Sequence, residues 1–141
     1  MTTFADVARV LGLPIPSGHS AFGLIAWIED GLPVRTLDRL AGKLAPGDTA
    51  FKYRLVPKAT YERRKVTHRL SLDEGERLAR LAQAWTMAVD VWQDEAEARD
   101  FLFRPHAMLE DRRPVDVVIQ SEIGAGLVLD VLGRLRYGSA A

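Results

Sequence analysis

The stretch SLDEGERLARLAQAWTMAVDVW, residues 71–92, constrains the fold more than any other part of the chain. Ser71 and Glu74 have the S-x-x-E spacing of a capping box, in which each side chain accepts a hydrogen bond from the other residue's backbone amide. Seven apolar residues then recur on one helical face: Leu78, Leu81, Ala82, Trp85, Ala88, Val89 and Trp92. The pattern predicts a long amphipathic helix from about Leu72 to Trp92.

Short helices joined by tight loops are predicted before this long helix. The first is marked by Phe4, Val7 and Leu11 at helical spacing. The second begins behind Ser20 as its cap and ends at Gly31, and its apolar face consists of Leu24, Ile25 and Ile28. The third carries an apolar stripe of Val34, Leu37, Leu40, Ala41 and Leu44.

Two further helices are predicted after it. Asp94 and Glu97 repeat the capping pattern for a helix through Phe103, and Ser121 caps a last helix. In that last helix the residues expected to face inward are Leu127, Val128, Val131, Leu132 and Leu135. Gly124 in its first turn suggests close packing, and VDVVI at 115–119 is too short to assign by its period. Since no stretch gives a convincing sheet signal, the predicted fold class is all-α.

Positive charge is concentrated in the first half of the chain. The formal net charge of the 141 residues is zero, but residues 1–70 carry 11 basic and 6 acidic side chains, whereas residues 71–141 carry 8 and 13. The densest part runs from Lys52 to Arg69, where seven basic residues accompany a single acidic one, Glu62. The two halves are therefore expected to face different partners.

A helix-turn-helix unit is predicted where this charge accumulates. Asp48 is expected to cap a short helix through Leu55, and Pro57 to open the helix that contains ATYERRK. Five phosphate contacts here would give a slope of log K on log salt of about −4.5, and specificity would come from Thr60, Tyr61 or Arg64. By composition alone the run is equally a solvated charged surface. The candidate DNA-binding residues are Lys52, Arg54, Lys58, Thr60, Tyr61, Arg63, Arg64 and Lys65.

No catalytic constellation can be assembled from the sequence. His19, His68 and His106 lie far apart, and the chain lacks an H-x-x-x-H pair, a phosphate-binding loop and a serine elbow. Solvated or cap-bound histidines are the favoured interpretation. The absence of cysteine excludes disulfides and thiolate metal sites. We therefore predict a protein that is not an enzyme and needs no metal or cofactor.

Targeting signals are not evident either. The first twenty residues lack the apolar core of a signal peptide, and no stretch approaches eighteen apolar residues. The prediction is a soluble, cytoplasmic protein without a membrane partner.

Five blocks of the sequence, in order, resemble one family. They are GLPVRTLDRLA, VPKATYERRK, RLSLDEGERLARLAQAWTMAVDVW, DEAEARDFLFRP and GLVLDVLGRLRYG, and they look like the blocks of the Xre/MbcA/ParS antitoxins. The resemblance implies a type II antitoxin with an Xre-like helix-turn-helix region in residues 1–70 and a helical toxin-binding domain in residues 71–141. It also implies two partners: a RES-domain toxin, which consumes NAD or transfers ADP-ribose from it, and the operator DNA that the antitoxin represses.

The resemblance implies site residues as well. Pro57, Lys58, Thr60, Arg63, Arg64 and Lys65 match the family's Pro-basic-x-Thr-x-x-Arg-Arg-basic block. Toxin-binding residues implied by the match are Arg104, Pro105, Leu109, Tyr137 and Gly138. The last helix is expected to cover the toxin's NAD pocket, and we expect it to bring Arg134 and Arg136 there together with Tyr137. The chain departs from the family pattern at His106 in place of Asn, at Glu110 and Asp111 in place of a Gly-rich turn, and at Ser121 in place of a Thr cap.

A second class of function stays open from the sequence. The chain could be a stand-alone helix-turn-helix regulator, dimeric through its long helix, whose C-terminal half senses another protein. A small enzyme has the least support because no catalytic set is present. Under either DNA-binding interpretation a homodimer is expected, since such proteins commonly match two half-sites with twofold symmetry.

Overall fold

A computed structural model describes residues 4–14 and 21–138. Within these ranges the chain is helical and contains no strand, only two isolated bridges, which confirms the all-α prediction. A short 3-10 helix spans Ala107–Leu109. The α-helices are α1 (Phe4–Leu11), α2 (Ala21–Asp30), α3 (Val34–Leu44), α4 (Lys52–Leu55), α5 (Lys58–Thr67), α6 (Leu72–Trp92), α7 (Glu95–Phe103), α8 (Pro114–Gln120) and α9 (Glu122–Arg136).

Helix α6 forms with the predicted bounds and the predicted cap. The Ser71 hydroxyl accepts a hydrogen bond from the Glu74 backbone amide at 3.3 Å, and a Glu74 carboxylate oxygen accepts one from the Ser71 amide at 2.8 Å. Its buried apolar residues include Leu78, Leu81, Ala82, Trp85 and Ala88. The two amides that a helix start would leave unsatisfied are therefore paired, and the apolar face enters the core.

The core is built around α6 and is shared by both halves of the chain. Helices α1 to α4 from the first half and α7, α8 and α9 from the second all contact α6. The buried side chains form one continuous cluster from Val7 near the N-terminus to Leu132 in α9. All five apolar residues of the α3 stripe are buried, as predicted.

Helices α4 and α5 form where two helices joined by a tight turn were predicted. Helix α4 is a single turn, Val56 and Pro57 connect it to α5, and Pro57 occupies the position before the first residue of α5. The prediction for Asp48 needs a correction: its carboxylate accepts a hydrogen bond from the Ala50 amide at 2.9 Å and closes the turn before α4, so it does not cap the helix itself. The Ser20 cap lies outside the described residues.

The ambiguous VDVVI run lies in α8, which packs closely against α9. The Ser121 hydroxyl caps α9 by accepting a hydrogen bond from the Gly124 amide at 2.9 Å. A Cβ atom at Gly124 would lie 2.2 Å from the backbone carbonyl oxygen of Val117, whereas one at Gly126 would meet nothing within 4 Å. The start of α9 therefore requires a residue without a side chain at position 124.

Three of the apolar residues predicted to face inward are exposed. Leu127 is 52% exposed, Leu135 45% and Ile25 45%. In α9 the residues Val128, Val131 and Leu132 fill the contact with the core, whereas Leu127 and Leu135 stay accessible to solvent. No helix within residues 4–14 or 21–138 combines the length and the apolarity needed to cross a membrane.

Candidate functional site

The outward side of α5 carries part of the predicted basic surface. Lys58, Arg63 and Lys65 are exposed there, and Thr60 lies between them, half-buried. Lys65 pairs with Glu62 of the same helix at 3.1 Å in a solvent-exposed contact, which is worth little because water screens it. We call Lys58, Thr60, Arg63 and Lys65 the outer α5 surface. It offers three cationic side chains to a polyanion.

Tyr61 of the same helix is buried instead. It is 5% exposed, and its hydroxyl donates a hydrogen bond to Asp38 of α3 at 2.8 Å. The Lys52 ammonium donates to the Tyr61 hydroxyl at 3.2 Å and lies 4.3 Å from the centre of its ring. Burial and the Asp38 contact raise the pKa of Tyr61, and the Tyr61 hydrogen bond raises the pKa of Lys52 despite burial. Of these two predicted DNA-binding residues, Tyr61 attaches α5 to α3, and Lys52 attaches α4 to both helices.

Arg64 attaches the end of α5 to the start of α6. Its Nε and Nη2 atoms donate to the two carboxylate oxygens of Glu74 at 2.8 and 3.2 Å. Burial alone would raise the pKa of Glu74, but hydrogen bonds from Arg64 and Ser71 outweigh it, so the pKa lies below its ordinary value. The same contact raises the pKa of Arg64. Glu74 therefore makes two contacts: it completes the capping box of α6, and it holds the end of α5 in position through Arg64.

Arg54 connects α4 to the C-terminal half. Its guanidinium pairs with Asp116 of α8, and Arg113 pairs with the same carboxylate through Nε at 2.8 Å and Nη2 at 3.1 Å. Burial would raise the pKa of Asp116, but hydrogen bonds from Arg113 and Arg54 lower it below its ordinary value. Arg54 is therefore held between the two halves of the chain, 62 residues from its partner in sequence.

The end of α9 presents some of the predicted protein-binding residues outward and holds another inward. Arg134, Tyr137 and Gly138 are exposed, with Tyr137 72% exposed. Arg136 instead pairs with Asp90 of α6 at 2.5 Å. Its guanidinium also lies 5.8 Å from the centre of the Tyr137 ring. Arg136 therefore fixes the last turn of α9 against α6.

The outward side of α9 carries several exposed apolar side chains beside Asp130 and Arg134, which was not predicted from the sequence. Ile123 is 80% exposed, and Leu127 and Met108 are each 52% exposed. Beneath them, a pocket of about 170 Å³ is lined by Met108, Leu109, Leu127, Asp130, Val131 and Arg134, with Leu109 itself buried. We call Met108, Ile123, Leu127, Arg134 and Tyr137 the outer α9 surface. The available signal was an apolar stripe wider than one buried face needs.

Arg104 and Pro105 lie at a second pocket, of about 230 Å³, near the end of α7. Arg104 pairs with Asp100 at 2.9 Å and is largely exposed. His106 is cap-bound, as favoured for the histidines: its Nδ1 atom accepts a hydrogen bond from the Met108 amide at 3.2 Å. Among the described residues no three His, Asp or Glu side chains are grouped as metal ligands would be.

The turn that replaces the family's glycines has an unusual backbone. Glu110 and Asp111 have φ angles of 53° and 61°, in the left-handed region that glycine adopts most readily. Glu110 and Asp111, which follow Leu109, therefore adopt the backbone conformation that glycine adopts most readily. Two non-glycine residues in this region cost stability, about 1 kcal/mol each.

Comparison with known proteins connects both surfaces to described domains. Residues 24–83 match the Antitoxin Xre-like helix-turn-helix domain, and residues 87–138 match the Antitoxin Xre/MbcA/ParS C-terminal toxin-binding domain. The chain is 31% identical to Antitoxin Xre of Yersinia enterocolitica over 134 residues, covering 92% of this chain and 87% of the relative. It is 28% identical to Antitoxin Xre of Photorhabdus laumondii with the same coverage. The outer α5 surface lies in the first matched range and the outer α9 surface in the second.

Proposed function

Because the chain belongs to the Xre family of antitoxins, we propose that it is the type II antitoxin of a RES-domain toxin, covers that toxin's active site and represses its own operator. Antitoxins of this family bind and inhibit, and are not enzymes. The observation that supports the proposal best is the uncovered apolar side of α9 within the toxin-binding range.

The outer α9 surface has the composition of a protein interface. Exposed apolar side chains grouped on one helix are unusual on a protein that works alone, and they mark an interaction surface. Tyr137 and Arg134 are of the residue types that contribute most at interface centres, up to a few kcal/mol each. Leu127 and Ile123 would bury their apolar area beside them. The toxin would then be inhibited by occupancy of its NAD pocket, with no chemistry by this chain.

The outer α5 surface supports the operator-binding part of the proposal. If its three cations each contact a phosphate, the logarithm of the DNA-binding constant should fall with the logarithm of the salt concentration with a slope of about −2.7 per copy. This slope is shallower than the one expected for five contacts. Two copies on a twofold-symmetric operator would double it. Thr60 and Arg63 are the residues we propose for base contacts, because Tyr61 and Arg64 are engaged inside the protein. The contribution of the internal residues is to hold α5 in place.

Co-expression tests the toxin part. The chain should co-purify with the protein encoded by the adjacent reading frame, and it should prevent the loss of cellular NAD that the partner causes when expressed alone. A partner that is harmless, or that remains toxic in the presence of this chain, would contradict the proposal. If the chain bound its operator but the adjacent reading frame encoded no toxin, the stand-alone regulator would be favoured.

A reporter under the chain's own promoter tests the operator part. Expression of this chain should lower reporter output, and gel shifts should show a complex whose affinity falls steeply with salt. A promoter that responds only to the toxin, or a complex insensitive to salt, would contradict direct operator binding through α5.

A further inference from the structure

The pocket at the end of α7 has an aromatic wall. Trp92 from the last turn of α6 and Phe101 from α7 have ring centroids 5.0 Å apart, tilted by 35°. His106 meets Phe101 edge-on at 5.7 Å. Leu135 of α9 closes one side of this pocket of about 230 Å³. The space suits the end of one large side chain and is too small for a nucleotide.

Two carboxylates stand at the rim of this wall. Asp100 is already paired with Arg104 at 2.9 Å, whereas the Glu97 carboxylate has no cationic partner among the described residues. His106 is held in place at the same pocket, because its Nδ1 atom accepts a hydrogen bond from the Met108 amide. Two carboxylates against one guanidinium leave the pocket with a net charge of −1.

An aromatic wall with an uncompensated carboxylate favours a flat cation. A guanidinium stacks on ring faces and donates two parallel hydrogen bonds to a carboxylate, while an ammonium group does neither as well. We propose that this pocket receives an arginine side chain of the toxin, with the guanidinium on Trp92 and hydrogen-bonded to Glu97. The inference rests on the proposed antitoxin function and adds a second anchoring point to it.

The position of the pocket agrees with that role. Leu135 lines the pocket and Tyr137 follows two residues later, so the pocket lies at the same C-terminal end of α9 as Tyr137. Leu135 is 45% exposed although its spacing predicted a core residue, and the pocket gives that exposure a use. Arg104 and Pro105, which the family resemblance assigns to toxin binding, form the opposite rim.

A small probe tests the chemistry without the toxin. The amide of N-acetyl-arginine should shift the indole N–H signal of Trp92 in a saturable manner in ¹⁵N NMR spectra, with the signal identified by its loss in Trp92→Phe. The amide of N-acetyl-citrulline, which has nearly the same shape but no charge, should not. Glu97→Gln should weaken the arginine effect about tenfold. Equal shifts with both probes, or no shift with arginine, would overturn the proposal.

The toxin complex tests the role. Glu97→Gln should bind the co-purified toxin about tenfold more weakly, and Glu95→Gln, in the same first turn of α7, should bind as wild type. Unchanged affinity of Glu97→Gln would overturn the arginine pocket while leaving the antitoxin function intact. If the wild-type chain bound no toxin at all, the proposed function would fail, and the probe titration would still decide whether the pocket takes a guanidinium.

Discussion

Helices α5 and α9 both run along the surface with one side uncovered, but they expose opposite kinds of side chain. The uncovered side of α5 carries Lys58, Arg63 and Lys65, whereas that of α9 carries Ile123 and Leu127. Charged groups that are left hydrated are free to meet a polyanion, and apolar groups left in water gain free energy when another protein covers them. The contrast supports the proposal that the two helices meet different partners, although they share one continuous core.

The largest effect is expected from reversing the charges of α5. The triple substitution Lys58→Glu, Arg63→Glu and Lys65→Glu should weaken operator binding about a thousandfold at low salt, because three attractions to phosphate become repulsions. Toxin binding should be unchanged. Gel shifts over a salt series and toxin co-purification measure both. Arg64 is left out because its reversal would place two carboxylates together at Glu74.

A smaller loss of affinity is expected when negative charge is placed on the outer α9 surface. Ile123→Asp with Leu127→Asp should weaken toxin binding about a hundredfold, since an unpaired carboxylate would be buried in the interface. Operator binding should persist. Val66→Asp, at an equally exposed apolar position on α5, is the matched control and should leave toxin affinity unaltered. If Val66→Asp lost toxin binding and the α9 variant did not, α5 and not α9 would be the toxin-binding helix.

The placement of α9 is expected to depend on one glycine. Gly124→Ala should lower the free energy of unfolding by about 2 kcal/mol, because its Cβ would collide with the Val117 carbonyl oxygen. Gly126→Ala, where nothing lies within 4 Å, should raise it by about 0.5–1 kcal/mol through helix propensity. Urea unfolding measures both variants. If Gly124→Ala and Gly126→Ala changed the free energy of unfolding equally, α8 and α9 would not be closely packed at Gly124.

The placement of α5 is expected to depend on the Arg64–Glu74 contact. Glu74→Gln should lower the free energy of unfolding by about 1.5 kcal/mol at pH 7. Because the pKa of Glu74 is depressed in the folded protein, its stabilisation is complete above the ordinary pKa of about 4.5 and is lost as the pH falls through the folded value. The difference from wild type should therefore shrink in acid. Glu76→Gln, exposed on the same helix, should behave as wild type at every pH.

The smallest effect is expected in the turn beside Met108. Glu110→Gly and Asp111→Gly should each raise the free energy of unfolding by about 0.5–1 kcal/mol, because glycine adopts a positive φ without strain. Glu122→Gly, at an exposed glutamate in the first turn of α9, should lower it instead. Thermal unfolding of the three variants distinguishes relief of strain from a general tolerance of glycine.

The accuracy of the sequence-based predictions followed the range of the interactions involved. The bounds of α6 and its capping box, and the Ser121 cap of α9, were predicted because the donor and acceptor lie three residues apart. The buried stripe of α3 was predicted because a single helical period describes it. The pairing of Arg54 with Asp116 was not, since it depends on how α4 and α8 are placed against α6.

The sequence alone determined which region is basic, which helices form and which family the chain resembles. Residue types, local caps and helical periods are properties of neighbours in the chain, so they can be read without the tertiary structure. The direction of each side chain was decided only by the tertiary structure. Contacts with α3 and α6 engage Tyr61 and Arg64, while Lys58 and Arg63 stay exposed on α5 and Leu127 stays exposed on α9. Helical spacing cannot encode these outcomes, because which side of a helix is covered depends on residues distant in sequence.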